Sequence, residues 1–150
     1  MIIREATKDD LSECLVLGWE MHQESRYKNQ DFNLEKVALF FEIAIHNHKY
    51  LFLVGEKEGK IIGGFIGYIM AQWFGDDLQS GDFAVFIEKE HRGGRLALGL
   101  IKKYIAWAKS KGVNDNFIGL GITTDVNTEK TEVFYKKLGF NRTGLTMGLN

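Results

Sequence analysis

Apolar residues along the chain alternate between short unbroken runs and a spacing of three or four, and each change of pattern marks a new element. Met1 to Glu5 predicts a short strand. Thr7, Asp9 and Asp10 supply a capping hydroxyl and first-turn acids for a helix carrying Leu11, Leu15, Trp19 and His22 on one face. Glu24 to Phe32 is polar and predicts a loop, after which Asn33 caps a second helix through Val37, Phe40, Phe41, Ala44 and Ile45. Tyr50 to Glu56 predicts a strand, Glu58-Gly59 a tight hairpin, and Lys60 to about Trp73 the returning strand. Gly63, Gly64 and Gly67 interrupt that strand and point to a bulge or a close approach of backbone. Phe74 to Gly81 predicts a polar, acidic loop.

The second half is organised around Asp82 to Lys111. Phe83 through Ile87 is the unbroken run expected of a strand buried on both faces. His91-Arg92-Gly93-Gly94-Arg95 makes the turn. Leu96, Leu100, Ile101, Tyr104, Ile105 and Ala108 then share one helical face opposite Lys102, Lys103 and Lys109, and Lys111-Gly112 stops the helix. Phe117 to Thr123 predicts the next strand, with Gly119 and Gly121 leaving one of its faces bare. Asn127 caps a helix from Thr128 to Leu138 that ends at Gly139, and Phe140 to Leu149 predicts one closing strand or two short ones.

The predicted order is strand, two helices, three antiparallel strands, helix, strand, helix, strand(s). This is a mixed α/β (α+β) sheet in which the Phe83 strand, its helix and the Phe117 strand form a parallel crossover. Across 150 residues no linker, repeat or low-complexity segment intervenes, which predicts one domain over residues 1–150. A net charge of -1 gives no basic surface for nucleic acid. No apolar run reaches membrane-spanning length and no stretch has signal-peptide form, so a cytoplasmic protein without a membrane partner is expected. The single cysteine, Cys14, fits a reducing compartment and, beside Leu11 and Leu15, reads as a small buried hydrophobe. His46 and His48 have no acidic or cysteine neighbour in the sequence, and no metal site is expected there.

Candidate chemistry gathers at the glycine turn. A buried strand passing through glycines into a helix N-terminus leaves backbone N–H groups without partners and aims the helix dipole at an anion. Arg92 and Arg95 flank the glycines with multi-donor cations, so the expected ligand is a phosphorylated cofactor. A nucleotide-phosphate protein of unrelated fold ranks last, because neither a G-x-x-x-x-G-K-[ST] loop nor a G-x-G-x-x-G after the first strand is present.

Three segments together resemble the GNAT superfamily of acetyl-CoA-dependent N-acetyltransferases. Ile3-Arg4-Glu5-Ala6-Thr7 with Asp9-Asp10-Leu11 looks like its opening, Glu90-His91-Arg92-Gly93-Gly94 with Leu96-Ala97 like its pyrophosphate turn, and Phe134-Tyr135-Lys136-Lys137-Leu138-Gly139-Phe140 like its Y-x-x-x-G-F signature. Arg95 stands where the turn most often has its central glycine, Lys89 where it often has proline, and Asn127 lies one residue further from the tyrosine than is commonest. The resemblance implies a GNAT-like fold and transfer of the acetyl group of acetyl-CoA (coenzyme A) to an amine. It implies that Val85 and Ile87 pair with the pantetheine arm through backbone, that Arg92, Gly93, Gly94, Arg95, Leu96 and Ala97 hold the diphosphate, and that Asn127 faces the cofactor. Tyr135 would be the general acid for the leaving thiolate, since a phenol of pKa about 10 stays protonated at neutral pH. Asp82 and Glu88 share a face by strand alternation, and Asp82, toward the expected acceptor end, is the candidate base. His22, Glu24, Tyr27 and Trp73 are the candidate acceptor-pocket residues for a small-molecule or peptide amine. The alternative function is a non-catalytic acyl-CoA-binding module. The last strand is available to pair with or swap into a second copy, giving a homodimer.

Overall fold

The computed structural model describes residues 1–149. It contains β1 (Ile2–Glu5), α1 (Leu11–Glu24), α2 (Leu34–His46), β2 (Tyr50–Lys57), β3 (Lys60–Ala71), β4 (Leu78–Ile87), α3 (Arg95–Ser110) and α4 (Thr128–Lys137), with single 3-10 turns at Lys8–Asp10, Lys89–His91 and Asp115–Phe117. The strands form one antiparallel sheet in the order β1-β2-β3-β4. The sheet carries α1 and α2 on one face, around Cys14, Phe41, Phe52, Val54, Ile66 and Phe86. It carries α3 on the other, around Leu53, Phe65, Leu96, Leu100 and Tyr104.

Local chemistry accounts for most boundaries. The Asn33 Oδ1 accepts the Lys36 N–H at 3.0 Å and starts α2. Glu58 (φ 52°) and Gly59 (φ 78°) are both left-handed, the geometry a two-residue hairpin between twisted strands needs. Gly112 (φ 88°) ends α3. The glycine-rich β3 meets side chains that lie directly on it. A Cβ on Gly63 would stand 2.9 Å from Leu96, and one on Gly55 of β2 would collide with the same side chain. Leu96 therefore sinks into the sheet and pins the N-terminus of α3 there.

Several expectations are corrected. Trp19 is half exposed, and α1 buries Cys14, Leu17 and Gly18 instead, with Gly18 facing the Phe41 ring. The strand before the turn begins at Leu78, so the preceding loop shrinks to residues 72–77. Asp82 pairs with Gly67 and Ala84 with Ile66, which leaves Phe83 as an extra residue, a β-bulge. The bulge breaks strand alternation, so Asp82 and Glu88 do not share a face; Glu88 lies beyond the strand, paired with Lys60 and His91. Residues 117–123 run parallel to β4 but join it by a single bridge, Ser80 to Ile118, and do not form a full strand. Residues 140–149 form no strand either: 141–149 are exposed throughout, Leu145, Met147 and Leu149 included.

Candidate functional site

The hinge of the site is a buried tyrosine. The Tyr104 hydroxyl donates within 2.8 Å of the Gly119 carbonyl and lies 2.9 Å from Ser80 Oγ, and the Gly119 N–H donates to the Ser80 carbonyl at 3.0 Å. In the sequence Tyr104 is marked only by its place on the apolar face of its helix. The available signal was that a buried phenol needs a hydrogen-bond partner. Past this knot β4 and the segment after Gly119 part. The Gly121 N–H reaches the Asp82 side chain (Oδ1, 2.8 Å) rather than strand backbone, and beyond it no hydrogen bond joins β4 to residues 122–126 among the described residues.

Between them opens a cleft of about 830 Å³. One wall is the outer edge of β4. The Ile87 carbonyl points outward, because it accepts from Arg92 Nε at 2.9 Å, and alternation turns the backbone of Val85 the same way. At the end of that wall stand Gly93 (φ 73°) and Gly94, the residue before the first turn of α3. A Cβ on Gly93 would meet nothing within 4 Å. The α3 terminus has no side-chain cap, so its first N–H groups face open space. The opposite wall runs from Gly119 to Asn127. Asp125 (φ 60°) and Asn127 (φ 50°) are left-handed there, and strained non-glycine backbone of this kind gathers at functional sites. Asn127 precedes α4 as expected, but its side chain caps nothing; its carbonyl accepts from Thr131.

Tyr135 of α4 and Asp82 both face the cleft. Tyr135 is 8% exposed, packed between Phe134 and Phe140, and its hydroxyl has no hydrogen-bond partner among the described residues. Burial, with the Asp82 carboxylate nearby, pushes the phenol well above its ordinary value. Burial likewise pushes the Asp82 carboxyl up, partly offset by the Gly121 N–H. Glu24 lies on the cleft wall and grips Arg92, its oxygens 2.8 Å from both terminal nitrogens, which holds its carboxyl below the usual range.

The cleft thus brings together Asp82, Val85, Ile87, Arg92, Gly93, Gly94, Ala97, Asn127, Tyr135 and Glu24. The Leu96 side chain lies in the core, and Arg95 is exposed outside the cleft lining. Three acceptor candidates lie apart from the lining residues. His22 packs on Phe32 (5.2 Å) with its Nε2 buried and without a partner among the described residues, Tyr27 sits beneath Arg26, and Trp73 is 93% exposed against Phe74. Lys130 and Thr131 line the cleft and carry no mark in the sequence that would have singled them out. Among the described residues no cluster of His, Cys, Asp and Glu could hold a metal ion, and no helix is long and apolar enough to cross a membrane.

Comparison with known proteins gives the same architecture. A tetramutant of the BH1408 protein from Bacillus halodurans superimposes with a TM-score of 0.81 at 24% identity, covering 100% of this chain and 99% of that one. Glucosamine-6-phosphate N-acetyltransferase from Arabidopsis thaliana gives 0.74 at 19% identity, covering 99% and 97%. A predicted acetyltransferase from Clostridium acetobutylicum, solved with acetyl-CoA, gives 0.78 at 17% identity, covering 99% and 95%. At these identities the likeness speaks for the fold. A search of curated protein sequences finds no match. A profile of the Acetyltransferase (GNAT) family matches residues 7–140, which takes in the hinge, the glycine turn and Tyr135. The chain belongs to the GNAT acetyltransferases and is an enzyme of acyl transfer.

Proposed function

We propose that residues 1–150 act as one catalytic domain, an N-acetyltransferase that moves the acetyl group of acetyl-CoA to a primary amine of a small molecule or peptide by direct attack. The observation that carries this reading is the single cleft in which an uncapped helix N-terminus, a free strand edge and an unpartnered phenol meet. The residues fit the cofactor. Open space at Gly93 and the orphan N–H groups of Arg95, Leu96 and Ala97 suit a diphosphate. The outward backbone of Val85 and Ile87 suits an extended arm added at the sheet edge, and Asn127 offers an uncommitted amide from the facing wall.

Bound acetyl-CoA supplies a thioester carbonyl open to attack by a neutral amine. Tyr135 keeps its proton through the neutral range and presents it to the departing sulfur. Asp82, on the cleft side of the hinge, takes up the proton of the acceptor ammonium through water. Thiol release on mixing the protein with acetyl-CoA and a panel of primary amines tests the reading. Tight CoA binding with no turnover across the panel would instead make the chain a non-catalytic acyl-CoA-binding module.

The same reading assigns the exposed segment 141–149 to a second copy. Leu145, Met147 and Leu149 alternate like one face of a strand and stand 74%, 84% and 105% exposed, which suits exchange into a homodimer. Sedimentation that finds only monomer removes that assignment. We place the enzyme in the cytoplasm, where its buried Cys14 thiol, pushed up to about 12 by burial, stays reduced and inert; recovery outside the cytoplasmic fraction of lysed cells would contradict this.

A further inference from the structure

The cleft reaches both faces of the sheet past the free edge of β4. On the α3 and α4 side it is lined by Ala97, Ile101 and Tyr135; on the α1 and α2 side by Met21, Glu24, Tyr68 and Phe83. The second mouth is aromatic. Phe83, the bulged residue, is thrown onto that side and remains 55% exposed, its ring centroid 4.7 Å from Tyr68, 5.1 Å from Phe40 and 5.9 Å from Tyr50. Gly81 makes room for this floor: a Cβ there would stand 2.6 Å from the Tyr68 hydroxyl oxygen. An exposed phenylalanine supported from behind by other rings is a flat, rigid apolar platform beside Asp82.

The charges on this mouth exclude as much as the rings invite. The basic residues lining the cleft are Arg92 and Lys130. Arg92 is committed to Glu24 and to the Ile87 carbonyl, and Lys130 belongs to α4 on the other side. An acceptor bearing phosphate would be desolvated on this side with no unpaired lining cation, among the described residues, to meet it. A polyhydroxylated acceptor would lay most of its hydroxyls on ring faces that offer them no partner, the polar side chains lining this mouth being the Tyr68 hydroxyl and a Glu24 carboxylate already paired with Arg92. A ring or alkyl body removes apolar surface from water there, and an ammonium passing over Phe83 and Tyr68 gains from the ring quadrupoles.

We propose that this mouth admits the acceptor as a primary amine on an aromatic or apolar body, and that Phe83 is the residue that sets this specificity. The proposal rests on the acetyl-transfer reading and names the substrate class of the same site. The amine enters from the α1 and α2 side, the cofactor from the α3 and α4 side, and the two meet at Asp82 and Tyr135.

The test compares 2-phenylethylamine with ethanolamine and glucosamine 6-phosphate as acceptors, in the wild type, Phe83→Ala and Phe83→Tyr. The aromatic amine is expected to lead in kcat/KM by about tenfold or more, the scale on which an apolar pocket discriminates. Phe83→Ala should raise its KM about tenfold with kcat and CoA affinity kept, and Phe83→Tyr should restore it. Equal or reversed preference, or an unchanged KM in Phe83→Ala, overturns the proposal. If no amine turns over, calorimetry of 2-phenylethylamine with the wild type and Phe83→Ala decides: heat that Phe83→Ala weakens supports it, and absence of heat ends it. Failure to bind CoA marks a different fault, in the acetyl-transfer reading itself.

Discussion

Both terminal nitrogens of Arg92 lie 2.8 Å from the carboxylate oxygens of Glu24, and its Nε donates to the Ile87 carbonyl at 2.9 Å. The guanidinium is thereby spent on the end of α1 and on the edge of β4, where an incoming cofactor would seek both a cation and a backbone acceptor. Two residues on, the Arg26 N–H donates to the Thr124 carbonyl at 2.8 Å, so the end of α1 is tied to both walls of the cleft. Arg92 is the group that holds Glu24 below its ordinary pKa. A depressed carboxyl contributes stability above its unfolded pKa of about 4.3 and loses it as pH falls through the lower folded value, so the pair persists throughout the neutral range.

Glu24→Gln should therefore release Arg92 and tighten CoA binding, by about tenfold if one charge-assisted hydrogen bond is gained. Calorimetry at two salt concentrations measures it, with the larger gain at low salt. A weaker or unchanged affinity would show that the pair only braces the fold.

Tyr135→Phe should cut turnover by about a hundredfold or more while CoA affinity holds, because the hydroxyl contributes only when the sulfur leaves. The ring stays in its aromatic pocket, so the fold is kept. Since the phenol titrates above its ordinary value of about 10, the wild-type rate should show no Tyr135-dependent fall between pH 7 and about 10. Full activity in the variant would remove Tyr135 from the chemistry.

What could be read from the sequence divides along physical lines. Glu58-Gly59, Asn33 and Lys111-Gly112 were legible because turns and caps depend on a few adjacent residues. The buried stripe of α1 was not, since Trp19 has the right spacing but it is Gly18 that faces Phe41 in the folded chain. The bulge at Phe83 has no local mark, because it exists only in the pairing of β4 with β3. Glu24 and Arg92 lie 68 positions apart, and an ion pair over that separation needs the folded chain to bring it together. The segment from Phe117 was apolar enough for a strand and lies parallel to β4, yet a ladder requires backbone partners, and the Asp82 side chain takes the Gly121 N–H instead.

Asp82→Asn should lower activity by about a hundredfold and raise thermal stability at neutral pH. Burial lifts the Asp82 carboxyl above its unfolded value. The folded chain therefore binds that proton more tightly than the unfolded chain does. Ionisation costs stability as pH rises from the unfolded pKa of about 3.9 through the folded value, and the cost persists above it. Asparagine carries no charge to desolvate and can still accept the Gly121 N–H. The stabilisation should fade as pH falls below about 3.9, where the wild-type carboxyl is protonated in both states. Melting curves of both proteins across that range decide it; a wild type more stable than the variant at pH 7 would refute the account.

Tyr104→Phe removes one hydroxyl from the knot at which the cleft begins. It leaves the ring in the core against Phe65 and strips a donor from the Gly119 carbonyl and a partner from Ser80. An unsatisfied buried acceptor costs about 1–3 kcal/mol, which for a chain of this size lowers the melting temperature by about 2–4 °C per kcal/mol. The more telling readout is functional. With the knot reduced to the Gly119 N–H bond to Ser80, residues 118–121 are held to β4 less firmly, and hydrogen exchange at Gly119 and Gly121 should quicken before the sheet itself exchanges. The KM for acetyl-CoA should rise more than kcat falls, because the hydroxyl shapes the cleft and does not touch the reacting atoms. A variant with unaltered exchange at these two amides would show that the cleft is held open by α4 rather than by Tyr104.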